Sequence, residues 1–202
     1  MMHLLFLTNM PQEARDKLLY AALHLFTEKG FKETSILEIV EQARVSKTTF
    51  YHFFHSKEEL LVCLCKLLTE EIIEEVEKAV EPEQKMAYKA YVGIRRYMEI
   101  CVTRSTVTKL LLVESVGVSQ AVEKVRSESH RRFAELIYQT VQSAIPESVS
   151  DEEIRIVSQA MVGAINEVVV QNLAELGEEV EFDRLARLLN RIVVGAYVNL
   201  SM

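Results

Sequence analysis

Apolar residues recur at the spacing of an α-helix along almost the whole of this 202-residue chain. In the first strong example, Leu18, Leu19, Ala22, Leu25 and Phe26 fall on one helix face. The chain has only six Gly and three Pro residues, so few positions oppose long helices. No stretch of useful length alternates polar and apolar residues, which is the pattern of a half-buried strand. The sequence therefore predicts an all-α protein.

Capping residues divide this helical pattern into about nine segments. Ser35, Ser56 and Ser150 each begin a Ser-x-x-Glu sequence with the spacing of a capping box, and Ser46 is a further N-cap candidate. Helices are predicted between Pro11 and Gly30 and then over roughly 35–43, 47–54, 57–80, 83–103, 105–116, 119–144, 151–176 and 184–200. A domain of three short helices is thus expected before a larger helical bundle.

The net charge of −7 is concentrated in the larger, C-terminal part of the chain. Residues 1–60 carry seven Lys and Arg against eight Asp and Glu, whereas residues 61–202 carry sixteen against twenty-two. Nucleic-acid binding depends on the local surface rather than on the overall charge. The acidic composition therefore does not exclude an N-terminal part that faces phosphates.

The sequence contains no sign of membrane insertion. No apolar run approaches the roughly 18–20 residues that a membrane-spanning helix needs. The apolar start of the chain lacks a basic leading region and is too short for a signal peptide. We therefore expect a cytoplasmic protein without a membrane partner.

Residues 34–54 combine two short helices with a tight turn between them. Ile39, Ala43, Val45 and Phe50 are spaced to pack these helices together. The arrangement predicts a helix-turn-helix, whose second helix fits the major groove of DNA. The polar side of that helix carries side chains suited to base edges and phosphates, namely Lys47, Thr48, Thr49, Tyr51 and His52.

Residues 15–61 resemble the DNA-binding domain of the TetR family of transcriptional regulators. The matching segments are 21–26 (AALHLF), 28–31 (EKGF), 34–36 (TSI), 45–47 (VSK), 49–54 (TFYHFF) and 56–61 (SKEELL). The resemblance implies phosphate contacts by Thr34 or Ser35, Tyr51 and Lys57, and contacts near base edges by Lys47, Thr48, Thr49 and His52. It also implies a DNA-binding domain over residues 1–56 and a ligand-binding and dimerisation domain over residues 57–202.

Two residues depart from the family pattern, Val40 in place of Ala and Arg44 in place of Gly. A residue other than glycine in a turn with positive φ costs about 1 kcal/mol, so Arg44 is expected to strain this turn. Its guanidinium is also expected to add a contact with DNA phosphate.

The last two predicted helices carry apolar residues on more than one side. One stripe consists of Ile154, Val157, Met161 and Ile165, and the other of Leu188, Ile192 and Val193. Each stripe packs either in the chain's own core or against a second copy, and the additional apolar positions favour the second copy. The resemblance also implies a homodimer, in which two recognition helices read a palindromic operator in double-stranded DNA.

The helices between these regions are expected to enclose a small-molecule effector, chiefly because the resemblance implies a pocket there. The predicted lining is Ile94, Tyr97, Met98, Cys101, Arg104, Leu110, Glu114, His130, Phe133, Ile137 and Asn166. Core packing is the alternative role of each of these residues. The mostly apolar set indicates an apolar or amphipathic effector, which we expect to release a repressor from its operator.

Catalytic motifs are missing from the sequence. It contains no phosphate-binding glycine loop, no Gly-x-Ser-x-Gly and no His-Glu-x-x-His, so we expect neither an enzyme nor a cofactor. His52 and His55 with Glu58 superficially resemble a metal site, but the helix is expected to end between the histidines, and no metal is predicted. An interaction module that has lost DNA binding is the remaining alternative.

Overall fold

The computed structural model of the protein describes residues 4–142, 145–172 and 179–200. Within these ranges there are nine α-helices and no β-strand, which confirms the predicted all-α fold. The helices are α1 (Ala14–Lys29), α2 (Ile36–Ala43), α3 (Lys47–Phe53), α4 (Lys57–Val80), α5 (Met86–Thr103), α6 (Ser105–Lys109), α7 (Gln120–Val141), α8 (Asp151–Asn172) and α9 (Glu179–Leu200). None of the described helices has the length and apolar character required to span a bilayer.

The segment predicted as one helix over 105–116 is divided in two. α6 ends at Lys109, and Leu110–Glu114 continue as a π-helix, in which the Ser115 N–H donates to the Leu110 carbonyl over 3.0 Å. A π-helix closes each hydrogen bond over five residues instead of four, which apolar periodicity does not predict. α9 begins at Glu179 rather than at 184, and the predicted helix ends at 144 and 176 lie outside the described residues.

Packing divides the chain into two compact units. The first contains the described residues up to Glu71 together with Arg104–Ser127. The second contains Ile72–Thr103 and the described residues from Glu128 onward. α4 therefore contributes its first part to one unit and its last part to the other. The functional division expected at residue 56 remains a prediction.

The core of the first unit is built on α1. Leu18, Leu19 and Phe26 on α1 are fully buried, as are Ile39 on α2 and Phe50 on α3. Burying an apolar side chain of this size contributes roughly 1.5–3 kcal/mol relative to leaving it in water. The apolar face predicted for α1 is thus the surface on which α2 and α3 are positioned.

A short N-terminal turn completes this core. Leu4 and Leu5 are buried, and their N–H groups donate to the two carboxylate oxygens of Glu71 over 2.8 and 2.6 Å. Glu71 is also buried, and a buried carboxylate requires such donors because burial otherwise penalises its charge. The apolar start of the chain is therefore part of the folded first unit.

The second unit is held together by helix packing around α9. α5 and α8 both pack against α9, and Met98, Val169 and Ala186 are fully buried at these contacts or near them. Inside this core the hydroxyls of Ser158 on α8 and Tyr197 on α9 form a hydrogen bond of 2.7 Å. The pair satisfies two buried polar groups and links the two helices at a defined register.

Candidate nucleic-acid interface and ligand cavity

The helix-turn-helix predicted at residues 34–54 is formed by α2, α3 and the turn between them. Ser35 and Glu38 make the predicted capping box at the start of α2, and Ser35 is exposed. The Ser35 Oγ accepts from the Glu38 N–H over 3.2 Å, and the Ser35 N–H donates to the Glu38 carboxylate over 2.8 Å. At α3, the Ser46 Oγ accepts from the Thr49 N–H over 3.0 Å. These local caps set where both helices begin.

Arg44 adopts the left-handed conformation at the end of α2, with φ 53° and ψ 46°. Among the described residues it is the only one other than glycine with a positive φ. Its N–H donates to the Val40 and Glu41 carbonyls, which closes the helix end, and its side chain is exposed. The strain expected for a residue with a Cβ in this turn is therefore present.

Replacing Arg44 with glycine is expected to stabilise the protein by about 1 kcal/mol, because glycine adopts this conformation without the steric cost of a Cβ. Urea unfolding at equilibrium measures the gain. Arg44→Ala is the matched control, since it removes the guanidinium but keeps the Cβ and should change stability by less than about 0.5 kcal/mol. An equal gain from alanine would show that the side chain, not the backbone, is responsible.

α3 has one apolar side and one polar side. Phe50 is fully buried and packs edge-on against the Tyr51 ring, with 5.4 Å between ring centres. Thr49 is half-buried, and its hydroxyl lies 2.8 Å from the Ser46 Oγ. The exposed residues of the helix include Lys47, Thr48, Tyr51 and His52. The five residues predicted on the reading side of α3 thus occur together, with Thr49 partly covered.

Thr34 and Lys57 build the connection between α1 and α2 instead of an exposed contact surface. Thr34 is 1% exposed, and its hydroxyl donates to the Gly30 carbonyl over 2.8 Å. The Lys57 ammonium donates to three carbonyls within residues 31–34 over 2.5, 2.6 and 3.3 Å. These carbonyls use all three ammonium protons, and burial lowers the pKa of Lys57. The phosphate contacts predicted for these two side chains are therefore corrected to structural roles.

The second unit contains an apolar cavity that is partly open, with about 680 Å³ of empty space including the solvent at its open side. Its lining comes from five helices and consists of Val76, Val80, Lys89, Ala90, Gly93, Ile94, Tyr97, Phe133, Leu136, Ile137, Thr140, Val141, Val162, Ile165, Asn166 and Val193. The Tyr97 hydroxyl donates to the Asn166 Oδ1 over 2.7 Å. Burial raises the pKa of Tyr97 well above its usual value, so this phenol stays neutral. Among the described residues of the lining, Lys89 is the only charged one.

The structure brings together part of the predicted ligand-binding set. Ile94, Tyr97, Phe133, Ile137 and Asn166 line the cavity. The six other predicted residues do not line it. Met98 and Cys101 are buried elsewhere in the second unit, and Arg104, Leu110 and Glu114 belong to the first unit. The His130 Nε2 lies 3.0 Å from the Gln159 carbonyl. The prediction that these six residues line the cavity is therefore corrected. It was made from helical spacing, which identifies a buried helix face but not the empty space beside it.

The contributions of α4 and α9 were missed by sequence reasoning, and on α8 only Asn166 was predicted, without Val162 and Ile165. The clearest signal for the cavity in the sequence is Gly93, a glycine inside the apolar pattern of α5. A Cβ at this position would lie 3.1 Å from the Val80 Cγ2 and 3.6 Å from the Val76 Cγ1. Glycine therefore lets α4 and α5 approach closely beside the cavity.

The predicted dimerisation stripes are divided between the surface and the interior. Leu188 and Ile192 on α9 are 44% and 49% exposed, and Val157 and Met161 on α8 are half-buried. Ile154, Ile165 and Val193 are buried inside the second unit, and the last two line the cavity. The partner contact predicted for these three is corrected to core packing. Ile156, exposed on α8, was missed.

The described part of the chain contains no candidate metal-binding site. No group of three His, Cys, Asp or Glu side chains there is arranged to hold a metal ion. None of the three cysteines, all within the described residues, forms a disulfide; Cys65 and Cys101 are buried and Cys63 is half-buried. Burial raises the pKa of Cys65 to about 12, which keeps this thiol protonated, whereas metals bind the thiolate.

Comparison with known proteins agrees with this architecture. The family model described as "Bacterial regulatory proteins, tetR family" matches residues 18–63. The HTH-type transcriptional regulator HbdR of Aromatoleum sp. (strain CIB) is 30% identical over 104 residues, which are 47% of this chain and 45% of HbdR. The chain thus matches less than half the length of this curated relative.

Two solved structures share the fold over most of their length. The fatty acid degradation regulator FadR from Bacillus halodurans has a TM-score of 0.79 at 14% identity, over 93% of this chain and 97% of that chain. FadR from Bacillus subtilis in complex with stearoyl-CoA has a TM-score of 0.77 at 19% identity, over 89% and 97%. At these identities the similarity supports the fold alone.

Proposed function

This chain belongs to the TetR family of bacterial regulatory proteins, and we propose that it acts as a dimeric repressor that binds a palindromic operator and is released by an apolar or amphipathic effector. Its matched relatives are transcriptional regulators, not enzymes. The observation that carries the proposal is the polar side of α3, which presents Lys47, Thr48, Tyr51 and His52 outside a buried Phe50. A helix with this division seats its polar side in a major groove while its apolar side stays in the domain core.

The proposed homodimer is supported by the exposed apolar surface of α8 and α9. Leu188 and Ile192 lie four residues apart on α9, and Ile156 is exposed on α8. Two copies of such a surface form an isologous interface of four helices. A single helix-turn-helix makes few base contacts, whereas two related by a twofold axis read two half-sites about 34–36 Å apart.

The proposed effector occupies the cavity of the second unit. The apolar lining favours an alkyl chain or ring system, and the Tyr97–Asn166 pair and Lys89 offer the few polar contacts. FadR from Bacillus subtilis, which shares the fold, was solved with stearoyl-CoA, so a long-chain acyl compound is the effector class that we propose first.

Release requires that the effector prefer the form that does not bind DNA. A 100-fold loss of operator affinity corresponds to a preference of about 2.7 kcal/mol. α4 is the proposed connection, because its residues up to Glu71 belong to the first unit and those from Ile72 to the second.

Selection of duplexes from a random library by the pure protein at low salt tests this function. We expect enrichment of a palindrome, and we expect Lys47→Ala to weaken binding to the enriched sequence. Glu152→Ala, on the exposed start of α8, is the control and should bind normally. Stearoyl-CoA should then release the wild-type protein from the duplex. If no sequence is enriched, the proposed sequence-specific DNA binding is contradicted. If the protein stays on the duplex in the presence of stearoyl-CoA, the proposed effector class is contradicted.

A further inference from the structure

A second, open groove lies on the surface of the second unit, between α5 and α9. It is lined by Tyr88 and Tyr91 from α5 and by Asp183, Arg184, Arg187, Asn190 and Arg191 from α9. The groove has about 1180 Å³ of empty space, including its open side. Three arginines and one carboxylate therefore meet here in a unit whose sequence has eleven Lys and Arg against eighteen Asp and Glu.

The acidic residue in the groove orients its cationic neighbours. Asp183 accepts from the Tyr91 hydroxyl over 2.5 Å and from the Arg187 Nε over 2.9 Å, and the Arg95 Nε lies 3.4 Å away. The Arg187 guanidinium also lies 5.0 Å from the centre of the Tyr91 ring. Binding through Nε uses one of the five N–H donors of arginine and holds the planar group in place. Arg187 is thus preorganised with its terminal amino groups still available to an anion.

Two further side chains indicate what kind of anion fits. Tyr88 is 56% exposed, and its ring provides a flat surface on which a base can stack. The Asn190 Oδ1 is buried and has no hydrogen-bond partner in the described structure. A buried acceptor of this kind is costly until a donor reaches it. Phosphates carry no such donor at neutral pH, whereas the amino and amide groups of a nucleotide derivative do.

The groove and the cavity are lined by neighbouring residues of the same two helices, α5 and α9. Lys89 and Ala90 line the cavity, and they lie between Tyr88 and Tyr91 on one turn of α5. On α9, Asn190 in the groove precedes Val193 in the cavity by three residues, about one turn. The two sites therefore lie within about one helical turn of each other on α5 and on α9.

We propose that this groove binds the nucleotide end of the effector, with its phosphates on Arg187 and Arg191 and its base on Tyr88. The proposal rests on the proposed function, in which the apolar part of the effector fills the cavity. It makes the groove a specificity site: compounds that carry a nucleotide group bind more tightly than the free acid with the same chain.

Calorimetric titration with stearate, ADP and stearoyl-CoA tests the proposal on the full chain. We expect stearoyl-CoA to bind at least about tenfold more tightly than stearate, and ADP to bind weakly on its own. The double variant Arg187→Ala and Arg191→Ala should weaken stearoyl-CoA binding roughly 30- to 100-fold and leave stearate unchanged, because charge-assisted contacts of arginine with phosphate are lost. Arg131→Ala, an exposed arginine on α7, is the matched control and should have no effect.

A cavity variant separates the failure of this proposal from the failure of the proposed function. Ala90→Phe places a ring in the cavity lining and should weaken stearate binding without affecting ADP. If stearate binds and Ala90→Phe weakens it, but the arginine variant changes neither ligand, the groove proposal is overturned and the cavity stands. If stearate does not bind while ADP does, the groove stands without the acyl effector. Loss of the dimer in the arginine variant, with normal stearoyl-CoA affinity, would assign the arginines to the subunit interface and overturn the groove.

Discussion

Replacing both Leu188 and Ile192 with glutamate is expected to convert the proposed dimer into monomers and to weaken operator binding by at least about 100-fold. The two side chains are 44% and 49% exposed on one stretch of α9. At a dimer interface, two unpaired carboxylates would be buried in each subunit, at a cost of several kcal/mol. A monomer then binds one half-site at a time and loses the gain of 10²- to 10⁴-fold that linked binding provides.

Light scattering after size exclusion measures the mass, and gel retardation on a palindromic duplex measures the affinity. Val116→Glu is a suitable control, because Val116 is an exposed apolar residue of the first unit. It should leave both mass and affinity unchanged. Since the replaced α9 residues are exposed, the double variant should remain folded by circular dichroism. A folded variant with the mass of a dimer would contradict the proposed interface.

Phe50→Ala is expected to destabilise the protein by about 3–5 kcal/mol and to abolish operator binding at physiological temperature. Phe50 is fully buried, and its ring contacts Phe54 and Tyr51 with centre distances of 6.0 and 5.4 Å. The substitution removes the apolar anchor of α3 and leaves a cavity, and the cost approaches the whole stability of many domains. Urea unfolding followed by helical circular dichroism measures this loss.

Tyr51→Ala is the matched comparison at the neighbouring position. Its ring is 46% exposed, so we expect a stability change below about 1 kcal/mol but a loss of about 1–2 kcal/mol in DNA binding. The two variants therefore separate the packing side of α3 from its reading side. Equal destabilisation by both would mean that Tyr51 belongs to the core, and unchanged DNA affinity of Tyr51→Ala would remove it from the interface.

Local signals explain why so much of the fold is predictable from the sequence. The capping boxes at Ser35 with Glu38 and Ser150 with Glu153 both form, and each involves residues only three positions apart. Arg44 lies in the short turn that joins α2 and α3, and its positive φ was expected because the family pattern has glycine at this position. The sequence-based description of α2 and α3 is accurate because these interactions do not depend on distant residues.

Roles that depend on distant partners were not predictable. Lys57 donates to carbonyls more than twenty residues earlier in the chain, so nothing near it in the sequence distinguishes this role from a phosphate contact. On α9, Ile192 and Val193 are adjacent and both are β-branched apolar residues, yet Val193 lines the cavity and Ile192 is exposed. Periodicity identifies apolar faces, whereas the neighbour of each face is set by tertiary packing.

The π-helix at Leu110–Glu114 has a consequence for how homologous chains are aligned. A hydrogen bond closed over five residues accommodates one residue more than an ordinary helical turn, so a homologue one residue shorter here would continue α6 without a break. Each residue turns an ordinary helix by about 100°, but the wide turn absorbs its extra residue locally, so such a deletion would leave Ser115 facing Arg126, whose Nη1 donates to its hydroxyl over 3.0 Å. Single-residue gaps among homologues therefore belong inside this segment, not in the loop after it, and the contact between Ser115 and Arg126 should persist across them.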